Sequence, residues 1–311
     1  MNHFLSKIIL LTITITTLFS ACSNNEKYTL EYHLSKGDVF KQQMTMDMLL
    51  TQKMQGQEIK ISTLMTMDIH YDVTDVQDDI YMMDMKFDGI KMDMDMGVMK
   101  MSFDSNTTET TATANNLSPM FKAIVGQSFQ MTVNKKGKIQ SISGFENMIT
   151  AMISALDGGM DESTKQQIVA QFGQQFSDEK MKSMFEQISA YFPENQVAIG
   201  ESWQADMMVN NNQFNMNANM NMKLKEVKDQ VAIVEIHGTI STPEGGISQQ
   251  VQGMESNITM SGKQEGIVKI DMKTGFPVSN EITQDINGET SIMGMKIPMS
   301  IISKITTKEV K

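Results

Sequence analysis

Hydrophobic and polar residues alternate with a period of two along the first part of the chain. Between Phe40 and Leu50 most apolar residues stand on the even positions, with polar residues between them. Such alternation is typical of β-strands that bury one face. The pattern recurs three more times before Phe103, with polar breaks at residues 55–57, 75–79 and 88–89. Short breaks favour an antiparallel meander with one buried and one exposed face.

The middle of the chain has helical spacing instead. Apolar residues recur every three or four positions over residues 145–156 and 181–192, with a shorter run at 168–172. This periodicity is typical of amphipathic helices, and Pro193 ends the last run because proline cannot continue a helix. The sequence therefore predicts a block of two or three helices over residues 144–192.

The two-residue period returns at Gly200 and predicts about seven further strands. Turns are expected at residues 228–229, 243–246, 261–262, 273–275 and 287–288. We predict a single α+β domain built on a large, curved, half-barrel-like antiparallel sheet, with the helices packed on its concave side. Its parts are a first β meander (28–143), the helical block (144–192) and a second β meander (193–311).

Two short segments of the first half resemble segments of the second half. Residues 37–40 and 200–203 each place a glycine and an acid before an aromatic residue, and residues 133–137 resemble residues 270–275. The similarity fits either an ancient duplication or turn sequences that are common in hairpins. Trp203, the only tryptophan, is interpreted as a packing anchor where the helical block meets the second meander, and the alternative is a platform for a ligand.

The first residues have the three parts of a secretory signal. Lys7 precedes an apolar stretch over residues 8–19, which is too short to cross a bilayer as a helix. A small-residue exit follows and ends at Cys22, the only cysteine. We therefore predict a signal peptide over residues 1–21 and a lipidated tether over residues 22–27.

This arrangement resembles the lipobox of bacterial lipoproteins, with Phe19 at the position where the pattern usually has leucine. The resemblance implies a diacylglycerol on the Cys22 thiol and an acyl chain such as palmitate on its amine, which together give stable anchoring. Ser23, rather than aspartate, implies delivery to the outer membrane. The alternative is a secreted protein with an unrelated cysteine.

Composition excludes several classes of function. The formal net charge is −11, and all the cations are lysines. Nucleic-acid binding needs a basic surface rich in guanidinium groups, so it is not expected. Because the mature chain keeps no cysteine beyond Cys22, it has no disulfide framework and no thiolate metal site. The acidic balance suits solubility near an anionic envelope surface.

Methionine is the conspicuous residue, with 33 in the chain and 14 of them between Met44 and Met101. Methionine serves either as flexible core filler or as an adaptable lining for varied apolar ligands. A sink for oxidants is a further possibility. The candidate ligand-binding residues are Met44, Met46, Met48, Met65, Met67, Met83, Met85, Met92 and Met94.

Capture of Cu(I) by thioethers is a less favoured interpretation of the same residues. Methionines along one strand do not form a closed cage, and His33, His70 and His237 stand apart from them in sequence. The acidic run before Gly97 has the wrong register for a calcium loop, because methionines would occupy the ligand positions. No metal site is predicted.

Enzyme signatures are missing from the sequence. It contains no Gly-x-Ser-x-Gly elbow, no phosphate loop, no His-Glu-x-x-His and no Gly-x-Gly-x-x-Gly. Few histidines remain as candidates for a general base near neutral pH. We therefore expect a protein without catalytic residues or cofactor.

Three segments, residues 34–41, 192–203 and 270–277, resemble an uncharacterised lipoprotein family of Bacteroidota that is defined by a domain of unknown function. The resemblance covers most of the mature chain and implies a location in the cell envelope and a curved sheet. It brings no catalytic residue with it.

Two functional hypotheses follow from these observations. The first is a non-catalytic, membrane-anchored envelope lipoprotein that binds an apolar ligand, such as a lipid, or a partner protein. The second is a structural or assembly accessory of the envelope with a full core and no ligand. A methionine-lined cavity favours the first hypothesis, and a closed core favours the second.

Overall fold

The computed structural model describes residues 26–54, 56–107, 118–155, 177–179, 181–182, 192–211, 214–251, 254–292 and 294–310. The elements up to α2 are β1 (Lys27–Tyr28), β2 (Val39–Met54), β3 (Gln57–Gln77), β4 (Ile80–Asp95), β5 (Lys100–Asp104), α1 (Ser118–Ile124), β6 (Ser128–Asn134), β7 (Ile139–Ser143) and α2 (Phe145–Ser154). The later elements are β8 (Val197–Ala198), β9 (Ser202–Asn211), β10 (Phe214–Lys228), β11 (Val231–Ser241), β12 (Ile247–Val251), β13 (Met254–Asp271), β14 (Pro277–Ile292) and β15 (Met295–Glu309).

One 13-stranded sheet holds both halves of the chain. Its order is β7-β6-β4-β3-β2-β15-β14-β13-β11-β10-β9, with β5 paired to β4 and β12 paired to β13. The last strand, β15, pairs antiparallel with β2 and joins the two halves. Strands β1 and β8 form a separate two-stranded sheet. The predicted α+β class and the large antiparallel sheet are confirmed.

One face of the sheet, called the inner face below, carries the apolar residues of the alternating pattern. Residues directly opposite one another on paired strands lie on the same face, so the register defines rows that cross the sheet. One such row contains Phe103, Met92, Met65, Met46, Ile305, Ile282, Gly266, Ile236, Met222 and Trp203. The opposite, outer face carries most of the charged residues.

Three predicted breaks are wrong. Residues 88–89 lie inside β4, where Asp88 is the extra residue of a β-bulge, so that Phe87 and Ile90 both face inward. A bulge shifts the two-residue period without ending the strand, so a prediction based on alternation alone mistakes the shift for a turn. Residues 261–262 and 287–288 lie inside β13 and β14, because their glycines serve close packing of strands and not turns.

Strand glycines explain how the sheet curves. Gly238, Gly262, Gly266 and Gly288 all lie on the inner face. A Cβ added at Gly266 would stand 2.6 Å from the carbonyl oxygen of Glu281 on the neighbouring strand. Without side chains, these positions let adjacent strands bend toward the inner face.

Two hydrophobic cores cover part of the inner face. The first lies under strands β3, β4, β6 and β7 and includes buried side chains of both helices, such as Ile124 and Ile149. The second lies under β10, β11 and β13 and is closed by Leu30 and Val197, which come before β2 and before β9 in the chain. Trp203 packs against the second core, in agreement with its interpretation as a packing anchor.

Of the predicted helical block, α2 is observed where expected and residues 178–179 and 181–182 are helical, whereas 156–176 and 183–191 lie outside the described residues. The short helix α1 was not predicted. No helix within the described residues is long and apolar enough to cross a membrane.

The two meanders begin with the same local geometry. The backbone amides of Gly37 and Gly200 each donate to a carbonyl of a neighbouring strand, at 2.8 and 2.7 Å. Both glycines have φ of 92°, a left-handed conformation that favours glycine. The carboxylates of Asp38 and Glu201 each accept from the backbone amide three residues earlier, at 2.7 and 2.8 Å.

The next hairpins also match. The β3–β4 turn at residues 78–79 and the β10–β11 turn at residues 229–230 both have two consecutive non-glycine residues with positive φ. A bulge precedes each turn by four residues, at Thr74 and at Lys225. Because bulge, turn and spacing agree together, the structure favours an internal duplication over turn sequences that are merely common.

The segment before β2 ties the two halves together at one end of the sheet. The amide of Tyr32 donates to the carbonyl of Lys135 at 2.7 Å, and the amide of His33 donates to the carbonyl of Thr274 at 2.8 Å. The ring of Phe40 stacks on Phe276 with centroids 4.0 Å apart. We call this region the strap end of the sheet.

Candidate functional site

All nine candidate methionines lie on the inner face of three adjacent strands. Met44 pairs with Met67 between β2 and β3, and Met65 pairs with both Met46 and Met92. The strand order that brings them together follows from hairpin connections, so the clustering arises from local topology. The full set in the three strands is Met44, Met46 and Met48 on β2, Met65 and Met67 on β3, and Met83, Met85, Met92 and Met94 on β4.

Burial divides this set in two. Met83 is only 1% exposed and, like Met85, belongs to the first core. Met44 and Met67 are half-buried and pack against that core. Met92 is buried as well. These five methionines fill space in the way that an adaptable, unbranched side chain does in a core.

The other four methionines lie in a half-buried area beyond the first core. We call this area the methionine face, and its residues are Met46, Met48, Leu50, Ile61, Met65, Met94, Ile301 and Ile305. None of them is among the described members of either core. A contiguous apolar area that stays partly accessible is typical of a binding surface.

The rows that cross the methionine face contain no charged side chain at the described positions of β2, β3, β4, β11, β13, β14 and β15. The charges of the same strands lie on the outer face, where Asp47 is directly opposite Lys304. Asp93 accepts from the hydroxyl of Ser102, and Asp95 pairs with Lys100 at 2.9 Å. Asp93 therefore belongs to the outer face and Asp95 to a turn, as predicted from the sequence.

A buried belt of uncharged polar groups crosses the inner face beside the methionines. The Ser303 hydroxyl donates to Oε1 of Gln284 at 2.9 Å, and Nε2 of Gln284 donates to Oε1 of Gln264 at 2.7 Å. Ser303 is 5% exposed and Gln264 is 8% exposed. The three residues stand directly opposite one another on β15, β14 and β13. The sequence pattern gives no sign of this belt, because only the register of the strands brings the three residues together.

Thr63 continues the same row on β3, between Met48 and Met94. It is 4% exposed, and its hydroxyl has no hydrogen-bond partner in the part of the chain that the structure describes. A buried hydroxyl without a partner costs about 1–3 kcal/mol. The outer face of the same strand differs, because the Thr66 hydroxyl lies 3.4 Å from that of Thr45.

The methionine face leads to the end of the sheet opposite the strap end, which we call the open end. The β2–β3, β4–β5 and β14–β15 connections all lie there. Met54 and Met295, at the strand ends beside these connections, are exposed, and Val98 on the β4–β5 connection is completely so. Strand β2 has 16 residues, so the two ends are about 50 Å apart.

The histidines do not join the methionines. His70 lies on the outer face, with its ring nitrogens 3.1 Å from Asp88 and 3.2 Å from Asp72. Burial acts to raise the pKa of the Asp88 carboxyl, but hydrogen bonds and charge from Lys86 and His70 outweigh burial and lower this pKa. His237 is exposed on β11. No group of three or more His, Cys, Asp or Glu that could hold a metal occurs among the described residues.

One open groove of about 560 Å³ lies over strands β9, β10, β11 and β13, and another of about 620 Å³ lies over strands β11, β13, β14 and β15. Both are lined by polar and charged side chains such as His237 and Glu265. They differ in chemistry from the methionine face. The predicted attachment residue, Cys22, lies outside the described residues, as does the rest of the segment before Glu26.

Comparisons with solved structures give low similarity. A lipovitellin structure, described as showing lipid–protein interactions, is 7% identical over 90% of this chain and 26% of that chain, with a TM-score of 0.49. The translocator domain of the autotransporter NalP from Neisseria meningitidis is 6% identical over 89% of this chain and 90% of that chain, with a TM-score of 0.23. This chain thus spans about a quarter of the lipovitellin chain.

No curated protein matches the sequence. A family does match it, over residues 78–277, which include most of both meanders and the region between them. The expectation of a family defined by a domain of unknown function is thereby confirmed. The chain belongs to the family of unknown function DUF6263.

Proposed function

We propose that this protein is a non-catalytic envelope lipoprotein that holds an apolar ligand, such as a lipid, on its methionine face. In this proposal, acyl chains on Cys22 anchor it to the outer membrane. The observation that carries the ligand proposal is the half-buried, uncharged methionine face beyond the two cores.

Methionine suits such a surface because its three rotatable bonds and polarisable sulfur adapt to ligands of different shape. Removing an apolar chain from water contributes about 25 cal/mol per Å² of buried area. The methionine face supplies that area, and its described rows hold no charge that would have to be desolvated. Its exposed neighbours at the open end give an apolar ligand a route from solvent.

Anchoring and ligand binding are compatible in this geometry. The predicted tether precedes β1, and the segment that follows β1 runs to the strap end. The open end is then about 50 Å away from the attachment side. An anchored molecule would therefore present the open end away from its own membrane.

The test of ligand binding is native mass spectrometry of the full chain after mild detergent extraction, with a detergent-only blank. The expected result is a series of non-covalent adducts with lipid masses. The matched variants are Met46→Gln/Met65→Gln on the inner face and Leu49→Gln/Leu64→Gln on the outer face of the same two strands. Only the inner-face pair should reduce adduct occupancy, by several-fold. Equal occupancy in both pairs, or a bare wild-type chain, would favour the structural accessory.

Anchoring is tested separately by cell fractionation and by labelling with a clickable fatty acid. The wild-type chain should carry the label and sediment with the outer membrane. Cys22→Ala should lose the label and appear in the soluble fraction. A Cys22→Ala chain that partitions entirely with membranes would contradict the anchor.

A further inference from the structure

Among the described residues of β2, β3 and β4, Thr63 is the one whose buried hydroxyl has no hydrogen-bond partner. Its side chain points to the inner face, and its direct neighbours across the two adjacent strands are Met48 and Met94. Buried polar groups in proteins are almost always satisfied, by protein, water or ligand. An unpaired hydroxyl among adaptable methionines therefore leaves room for a hydrogen-bond partner, and its O–H can donate to an acceptor on a ligand.

The rest of the polar belt cannot supply that acceptor. Ser303 and Gln264 lie two and four strands away from Thr63, at about 10 and 19 Å. Gln284 is held between them by two hydrogen bonds. Thr63 thus remains available, while the neighbouring belt is already connected.

The charge distribution limits the chemistry of the acceptor. An ionised carboxylate or phosphate buried without a cation is strongly disfavoured. The described positions of the nearest inner-face rows carry no lysine, and Lys304 lies on the outer face of β15, opposite Asp47. An ester, amide or hydroxyl oxygen accepts a hydrogen bond without bringing a charge.

We propose that the ligand of the methionine face is an uncharged lipid whose ester, amide or hydroxyl oxygen accepts a hydrogen bond from the hydroxyl of Thr63. This inference rests on the proposed function and specifies the ligand's chemical class. The acyl chain lies along the methionines, and the polar oxygen lies in the row of Thr63. Methionine side chains move aside to admit it, as their flexibility permits.

The experiment is a native mass spectrometry titration of the full chain with three probes at pH 8. Dioleoylglycerol is neutral and carries esters, hexadecane lacks any polar group, and oleate is ionised. Dioleoylglycerol should bind about tenfold more tightly than either of the other two. Tighter binding of oleate, or equal binding of hexadecane, would overturn the inference.

Three variants isolate the hydroxyl. Thr63→Val should lower affinity for dioleoylglycerol about fivefold to tenfold, as expected for one neutral hydrogen bond, and should leave hexadecane binding unchanged. Thr63→Ser, which keeps the hydroxyl, should retain the wild-type preference. Thr66→Val, on the outer face of the same strand, should change neither affinity.

The outcomes separate this inference from the proposed function. If all probes bind and Thr63→Val has no effect on dioleoylglycerol, the inference is wrong and the proposed function stands. If no probe binds to the wild-type chain, both fail together. Thr63→Val is close in volume to the original residue and removes an unpaired hydroxyl, so its thermal midpoint should hold or rise.

Discussion

Replacing Gly262 with alanine tests how the sheet obtains its curvature. Gly262 lies on the inner face in the middle of β13, opposite Ile286 of β14. An added Cβ would stand 2.7 Å from the Cα of Ile286 and closer still to the carbonyl oxygen of Asp285. Both are backbone atoms, so the two strands would have to separate. Inserting a methyl group into such a packed site costs about 1–3 kcal/mol.

The sign of the change in stability distinguishes close strand packing at Gly262 from the usual effect of replacing a glycine with alanine. Replacing a glycine of ordinary strand geometry with alanine usually raises the free energy of unfolding by about 0.4–1 kcal/mol, because the unfolded chain loses conformational freedom. For Gly262→Ala we expect a net loss of up to about 2.5 kcal/mol in the free energy of unfolding, the difference between these two effects. Urea unfolding followed by circular dichroism measures it, with the exposed Ser261→Ala as a control that should stay within about 0.5 kcal/mol. A more stable Gly262→Ala would refute the role of the glycines in curvature.

Three further changes test other parts of the account. Met83→Ala should cost about 2–5 kcal/mol in urea unfolding, and Met48→Ala clearly less, because only Met83 is fully buried; equal losses would contradict the division between core and face. Gln284→Leu should cost about 1–3 kcal/mol, since it leaves the polar belt without its central partner, and a neutral result would count against the belt. Because the pKa of the Asp88 carboxyl is lowered in the fold, its ionised form stabilises the protein at pH values above the ordinary pKa of 3.8. This stabilisation is lost as the pH falls through the folded-state pKa. Asp88→Asn should therefore flatten the fall in urea midpoint below about pH 4, and an unchanged profile would exclude this contribution.

Much of the sheet could be predicted because its alternation is regular and its connections are short. Strands β2 and β3 follow the period of two closely, and the change to helical spacing at Phe145 matches the start of α2. The prediction failed where a glycine can indicate either a turn or close packing inside a strand. Gly288 has the appearance of a turn, although it lies in β14 where a Cβ would meet the backbone of β13.

The candidate site was predictable only in part. Alternation placed the methionines on one face, but it could not separate Met83 in the core from Met48 beyond it, because burial depends on what packs above the sheet. Thr63 and Gln264 carry no local signal at all. Their common row depends on the pairing of β15 with β2, a contact between residues that are about 250 positions apart.

Photo-crosslinking tests the central claim most directly, because it asks where on the chain a lipid lies. The full chain is incubated with a diacylglycerol that carries a diazirine on its acyl chain, illuminated, digested and sequenced by mass spectrometry. The account predicts crosslinks at inner-face residues of β2, β3 and β15, such as Met48, Met65 and Ile301. The control region is the exposed apolar group on the outer face of the same strands, which includes Leu64 and Ile302. Crosslinks concentrated there, or spread evenly over both faces, would contradict a lipid site on the methionine face.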